Sequence, residues 1–288
     1  MSTPKFARRP APQHSGPPPV SALNTTCEGV WILQGLCGVE LLPATLLLRP
    51  WVTASGPPTD HAGIPVLREA GVLVDDETVH PKIALWLETL GAPDIELCAN
   101  IQRGEEHMRL VVARREGRHV AASRCGDDVT IEEVPNVGSP RDLLERILAL
   151  CGATVEPAQF DPITVRTGDF LDGLGQVVRG DHTANKILGG LGLTVEQRRI
   201  VMLAAEDPWM QVSFALVLHD SRGDHVAMAS ASVTDTEAGR MVAGPIRGDD
   251  GTWWTQIVPG TLDAGARALK SLVATVGIAS WHDHSRQN

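Results

Sequence analysis

Tyrosine is absent from this 288-residue chain and phenylalanine occurs only four times, so seven tryptophans carry most of the aromatic bulk. No uninterrupted apolar run reaches the length of a membrane span. The nearest candidate, Gly29 to Leu48, is broken by Gln34, Glu40 and Pro43 and reads as a helix followed by a strand. Positive charge is also in short supply: 25 Lys and Arg stand against 35 Asp and Glu, a formal charge of −10. That balance excludes the positive field a nucleic-acid partner requires. The five cysteines (Cys27, Cys37, Cys98, Cys125, Cys151) form no CxxC and no Cys/His cluster with zinc spacing, as suits a reducing compartment. Met1 to Val20 is Pro-rich and holds Arg8 and Arg9, but it lacks the apolar core of a secretory signal. It reads as a disordered tail, and the chain as cytoplasmic.

Enzyme signatures are missing as well. There is no GxxxxGK[ST] phosphate loop, no GxSxG elbow and no HExxH. The glycines at 173, 175, 189, 190 and 192 fall between helical segments, not between a strand and a helix, which argues against a dinucleotide site. His282-Asp283-His284 is the one local metal-like cluster, and it reads as part of a polar tail. Cys125 sits beside Asp127 and Asp128, an acidic setting that disfavours a thiolate. No cofactor, metal or catalytic residue is expected.

What the chain does contain is an echo of itself. Ile95 to Ile101 matches Met210 to Leu216, and His119-Val120-Ala121-Ala122-Ser123 resembles His225 to Ser230. An amphipathic helix follows each copy, Asp142 to Leu150 and Leu262 to Val276. Two copies this far apart are no solenoid. They predict one α+β unit duplicated about a quasi-twofold, with a central antiparallel β-sheet flanked by two helical bundles. The expected organisation is a tail at 1–19, a single domain at 20–281 with halves 20–153 and 162–281, and a polar tail at 282–288.

Local signals fill in the elements. Val20 to Glu28 predicts an edge strand before a helix over 29–38, and Ala44 to Arg49 a short strand. Helices are expected over 64–70, closed by Gly71, and over 81–90, opened by Pro81. Runs at 95–101, 108–114, 119–124 and 129–134, with turns at roughly ten-residue spacing, predict a meander. Ser139-Pro140 starts the next helix. Helices over 164–180 and 185–191 precede one capped by Thr194, with Gln197 at the capping-box position. A second meander runs through 209–219, 226–232, 240–244 and 252–258. Adjacent Trp253 and Trp254 must point to opposite faces of their strand. The stripe Leu171, Leu174, Val178, Leu188 and Leu191 divides between core and an exposed patch that could receive a partner helix.

The order of these residues carries a resemblance. Arg68 to Leu73, His80-Pro81, Trp86 to Gly91, the 95–101 strand, Leu110 to Arg115, Arg118 to Ala122 and Val258 to Thr261 are similar to the EspG family of actinobacterial type VII (ESX) secretion. The likeness spans roughly Val20 to Trp281, and its specificity lies in order and spacing. It implies a non-enzymatic chaperone whose sheet, first-half hairpin (here 101–107) and second-half bundle (here 170–203) grip the tip of the PPE protein in a PE–PPE heterodimer. Mapped onto this chain, the partner-binding residues are Leu188, Leu191, Ile200, Trp209, Gln211 and Ser213, with Gln102, Arg103, Gly104 and Glu105 as a rim. Two other readings stay open. One is a small-molecule enzyme or ligand-binding domain, marked by a deep polar pocket between the halves holding His119 or His225 with a carboxylate. The other is a homodimer that buries an open sheet face.

Overall fold

The computed structural model describes residues 20–52, 56–135, 137–152 and 154–286. The tail expected at 1–19 lies outside them. The first half contains β1 (Ala22–Thr26), α1 (Cys27–Cys37), a 3-10 turn (Ala44–Leu46), α2 (Ile64–Glu69) and α3 (Pro81–Gly91). It continues with β2 (Ile95–Arg103), β3 (Glu106–Arg115), β4 (Arg118–Cys125), β5 (Asp128–Glu133) and α4 (Pro140–Leu150). The second half holds β6 (Ile163–Arg166), α5 (Thr167–Val178), α6 (Ala184–Gly190), α7 (Val195–Glu206) and β7 (Met210–Asp220). It ends with β8 (Gly223–Val226), β9 (Ala231–Thr236), β10 (Gly239–Arg247), β11 (Trp253–Pro259) and α8 (Leu262–Ala274).

Among the described residues the strands form one sheet, ordered β1-β5-β4-β3-β2-β7-β9-β10-β11-β6, with β8 paired to β7 off that path. Read outward from the β2–β7 seam, the two halves repeat each other. Each places a three-strand meander after its central strand, ends with a strand drawn from before the meander, and follows with a helix. Ile95 pairs with Leu218 and Ala99 with Phe214 in the antiparallel seam. The offset between the echoing segments is 210 − 95 = 115, and 214 − 99 is also 115, so the quasi-twofold passes through the Ala99–Phe214 pair.

The histidine echo does not survive. Asp94 N–H donates to Arg114 O and Trp209 N–H to Asp235 O, while His119 O accepts from Val134 N and Arg240 O from Gly260 N. Cα pairing then makes Arg114–His119 the counterpart of Asp235–Arg240. His225 belongs to β8, a hairpin with no first-half equivalent. This difference has a structural consequence. In the second half the two partners neutralise each other, Arg240 holding Asp235 through bonds of 2.6 and 2.8 Å. In the first half two basic side chains face each other, and the segment after α8 compensates. Trp281, 2% exposed, donates its indole N–H to His119 Nε2 at 2.8 Å. Arg114 donates to His284 O at 2.5 Å and pairs with Asp94 at 3.6 Å. Asp94 in turn accepts from Arg286 N at 2.9 Å. Residues 282–286 of the segment expected as a polar tail are therefore tied to the sheet through His284 and Arg286.

Three further expectations are corrected. Ala44 to Arg49 is not a strand: Pro43 opens a 3-10 turn that ends with Leu47 in the left-handed region. The 164–180 helix begins only at Thr167. Before it, alternating buried Ile163 and Val165 pair with β11 as an edge strand. The 226–232 strand is two, β8 and β9, which pair with successive stretches of β7. The remaining elements form where their signals lie, including the Ser139 cap of α4 and the complete capping box at Thr194 of α7.

Layering follows from side-chain alternation. On one face Ile95, Leu97, Ala99 and Ile101 join Val212, Phe214 and Leu216 beneath α4 and α8. Glycine allows the close approach there: a Cβ on Gly244 would sit 2.6 Å from Ala268 Cβ, and one on Gly265 would lie 2.3 Å from Leu144 Cδ2. The opposite face is covered at its two ends. A first-half cap from α1, α2 and α3 packs on β3–β5 around Trp86, and a second-half cap from α5, α6 and α7 packs around Phe170 and Leu188.

Trp281→Ala should lower stability by about 3 kcal/mol in urea unfolding, as for other buried Trp truncations. Burial, then the His282 and Arg114 charges, press the His119 pKa down to about 4. Neutral His119 thus contributes stability that is full above the ordinary imidazole value, about 6.5, and is lost as pH falls from there through about 4. Urea midpoints measured between pH 7 and pH 4.5 should fall less steeply for His119→Gln than for the parent chain.

Candidate partner-binding surface

Between the two caps, the face of the sheet opposite α4 and α8 lies open. Its floor comes from alternate residues of the central strands: Asn100 and Gln102 on β2, His107 and Arg109 on β3, Gln211 and Ser213 on β7. The seam register places Asn100 opposite Ser213 and Gln102 opposite Gln211. Among the described residues, none of these six side chains has a hydrogen-bond or ion-pair partner within the protein. A shallow depression of about 540 Å³ opens over Asn100, His107, Arg109 and Ser213, with Thr45 and Leu47 on its lip. A row of unpaired polar groups between two folded walls is suited to receiving polar groups from outside.

Exposed apolar side chains occur in both halves. Trp209, 55% exposed, precedes β7 in the same alternation as Gln211 and Ser213. Leu171 and Val178 are exposed on α5, Val195 on α7, and Leu47 is exposed on the first-half side. Isolated exposed apolar residues are ordinary; Trp209 and Leu47, standing beside one polar strip, are the pattern of an interaction surface.

The residues selected from sequence divide accordingly. Gln102, Gln211 and Ser213 come together on the open floor, and Trp209 is exposed beyond it. Gly104 and Glu105 form the tip of the β2–β3 hairpin, where Gly104 has φ +58°. Arg103 turns to the other face of the sheet, where its guanidinium reaches Cys151 O at 3.4 Å and Glu106 at 3.7 Å. Leu188, with no exposed surface, and Ile200, 1% exposed, are core residues, and Leu191 is half-buried. Helical periodicity identified the right stripe, but the outward positions are Leu171 and Val178. Asn100, Arg109 and Leu47 were missed. Strand alternation through Gln102 points to Asn100, whereas nothing local in the sequence marks Leu47.

The histidines that would mark small-molecule chemistry have other surroundings. His119 meets Trp281 and no carboxylate. His225 Nε2 lies 3.1 Å from Asp220 Oδ2 at the surface of the β8 hairpin. Among the described residues, a buried histidine that meets carboxylates is His219, whose Nε2 is 3.1 Å from Glu96 and whose Nδ1 is 2.6 Å from Asp224. Burial works against charge on His219, and its bonds to Glu96 and Asp224 outweigh burial and raise its pKa. Held between two carboxylates, the ring has no free nitrogen with which to act as a base. Burial also pushes the Cys98 thiol up to about 12 and those of Cys37 and Cys151 to about 11, far from reactive thiolates. Among the described residues no helix is long and apolar enough to cross a membrane.

A model of the EspG family matches residues 26–271. The ESX-1 secretion-associated protein EspG1 of Mycobacterium marinum is 30% identical over 278 residues, covering 92% of each chain. The ESX-5 secretion-associated protein EspG5 of Mycobacterium tuberculosis is 24% identical over 298 residues, 92% of this chain and 97% of the relative. The ESX-3 secretion-associated protein EspG3 of Mycolicibacterium smegmatis is 26% identical over 272 residues, 91% of this chain and 89% of the relative. In three dimensions the chain superposes on the M. tuberculosis type VII secretion system chaperone EspG5, solved in complex with a PE25–PPE41 dimer. The TM-score is 0.82 at 21% identity, covering 92% of this chain and 100% of that one. With a family model spanning both halves and relatives aligned over nearly their whole length, this chain belongs to the EspG family.

Proposed function

We propose that this protein is a cytoplasmic chaperone and adaptor, without enzymatic activity, for a PE–PPE heterodimer destined for a type VII secretion system. It holds the apolar tip of the PPE subunit, keeps the pair soluble and carries it to the secretion machinery. The observation that carries this reading is the open strip: a floor of unpaired Asn100, Gln102, Gln211 and Ser213, bordered by exposed Trp209 and Leu47. Such a site suits a helical tip that is apolar at its end and polar at its flanks. Capturing that tip removes from water a surface that would otherwise self-associate. An ordinary interface of about 1,600 Å² in total is enough for a specific complex. The solved EspG5 with its PE25–PPE41 dimer supports the same assignment through a shared fold.

Co-expression with PE–PPE pairs from the same genome, followed by size-exclusion chromatography with light scattering, tests the proposal. The expected result is a soluble complex with one copy of each chain, formed by a pair that is insoluble when expressed alone. If every pair elutes apart from this protein, the chaperone reading fails.

The burial of individual residues makes a second test. Trp209→Ala should weaken the complex by about 2 kcal/mol, as for an exposed aromatic anchor, while leaving the urea midpoint nearly unchanged. Leu188→Ala should do the reverse, costing about 3 kcal/mol of stability through a core cavity. Calorimetric titration and urea unfolding of both variants separate the two outcomes.

A further inference from the structure

The first-half lip of the open strip carries a backbone outlier. Leu47 has φ 50° and ψ 39°, a left-handed conformation that glycine or asparagine adopts with less strain than leucine. Its side chain is 63% exposed. The site thus combines backbone strain with an apolar group facing water, and neither serves the core. The neighbouring structure enforces both. Leu46 is fully buried, Leu47 N–H donates to Ala44 O at 3.0 Å, and Arg124 Nη1 donates to Leu46 O at 3.0 Å and Leu47 O at 2.5 Å. Such over-determined strain is typical of residues held ready for a contact.

Beside this knob lies an unused charge. Arg109 and Leu47 line the same depression, with His107, Asn100, Thr45 and Ser213. In a chain with a formal charge of −10, that depression has no acidic lining, and among the described residues no carboxylate pairs with Arg109. A guanidinium left free on a concave floor is a recognition element for a carboxylate.

We propose that Leu47 and Arg109 form a second anchor of the partner surface, an apolar knob beside a free guanidinium, which takes a helical tip bearing an apolar side chain next to a carboxylate. This rests on the chaperone reading and deepens it, because the anchor lies across the strip from Trp209 and makes the site a two-sided clamp. It also specifies the client, whose tip must present an acidic residue toward β3.

The test uses the PE–PPE pair that co-purifies with the parent chain, titrated calorimetrically into Leu47→Gly, Arg109→Gln and Arg109→Lys. Leu47→Gly should melt at or above the parent temperature, since glycine is at ease in the left-handed region, yet bind about tenfold more weakly. Arg109→Gln should weaken binding by about tenfold and flatten its salt dependence, and Arg109→Lys should restore part of both. Affinities of Leu47→Gly and Arg109→Gln within about twofold of the parent would overturn the anchor while leaving the chaperone reading intact. A Leu47→Gly variant that melts lower would also overturn it, by making Leu47 structural. A parent chain that binds no pair overturns the reading beneath, and the anchor with it.

Discussion

The eight-residue seam in which Ile95 to Gln102 run antiparallel to Leu218 to Gln211 joins the two halves into one sheet, and every later feature depends on it. Because β2 and β7 lie side by side, their apolar alternates merge into a single core that one pair of helices can cover. Their polar alternates merge on the other side into a single floor. A register slip of one residue would invert both faces, placing Phe214 in the open strip and Ser213 beneath α8. The quasi-twofold through Ala99 and Phe214 is thus the geometric condition for having one broad surface instead of two small domains.

The two faces are treated differently by the chain. Beneath α4 and α8, Gly244 and Gly265 remove the side chains that would hold the helices off, so the helices close over the central strands of that face. On the other face each half contributes a helical cap built on its outer strands. The caps do not meet, and the strip between them remains open for a physical reason: its residues are polar and cannot serve as the floor of a core. The depression over Asn100 and Ser213, the exposed Trp209 and the Leu47 lip are consequences of that gap.

Symmetry also explains the fate of the C-terminal segment. Asp235 and Arg240 satisfy each other at a turn, whereas their counterparts Arg114 and His119 are both basic. Burying such a pair needs outside help. The help comes from the far end of the chain, which brings the Trp281 indole to His119 and the His284 carbonyl to Arg114. A run read as solvated tail because His282, Asp283 and His284 are polar is held down by groups distant in sequence.

Local chemistry was legible wherever an element is decided by its own residues. The Thr194–Gln197 capping box, Pro140 after Ser139 and the Gly71 stop all act within a turn of helix, so the helices form where those signals lie. The alternation of Met210 to Leu218 is likewise intrinsic, and with the internal echo it implied a duplicated α+β sheet. Tertiary packing decided what periodicity leaves degenerate. It made Leu188 and Ile200 core while Leu171 and Val178 face outward, because a helical stripe does not say which flank meets the neighbouring helix. It turned Ile163 to Arg166 into an edge strand through pairing with β11. It fixed Leu47 in a left-handed turn through Arg124, a residue far along the chain, and it made Arg240 rather than the echoing His225 the equivalent of His119. The sequence alone therefore determined most of the elements and their duplication. The tertiary structure decided which side chains stand on the surface, since exposure depends on neighbours that only the folded sheet brings together.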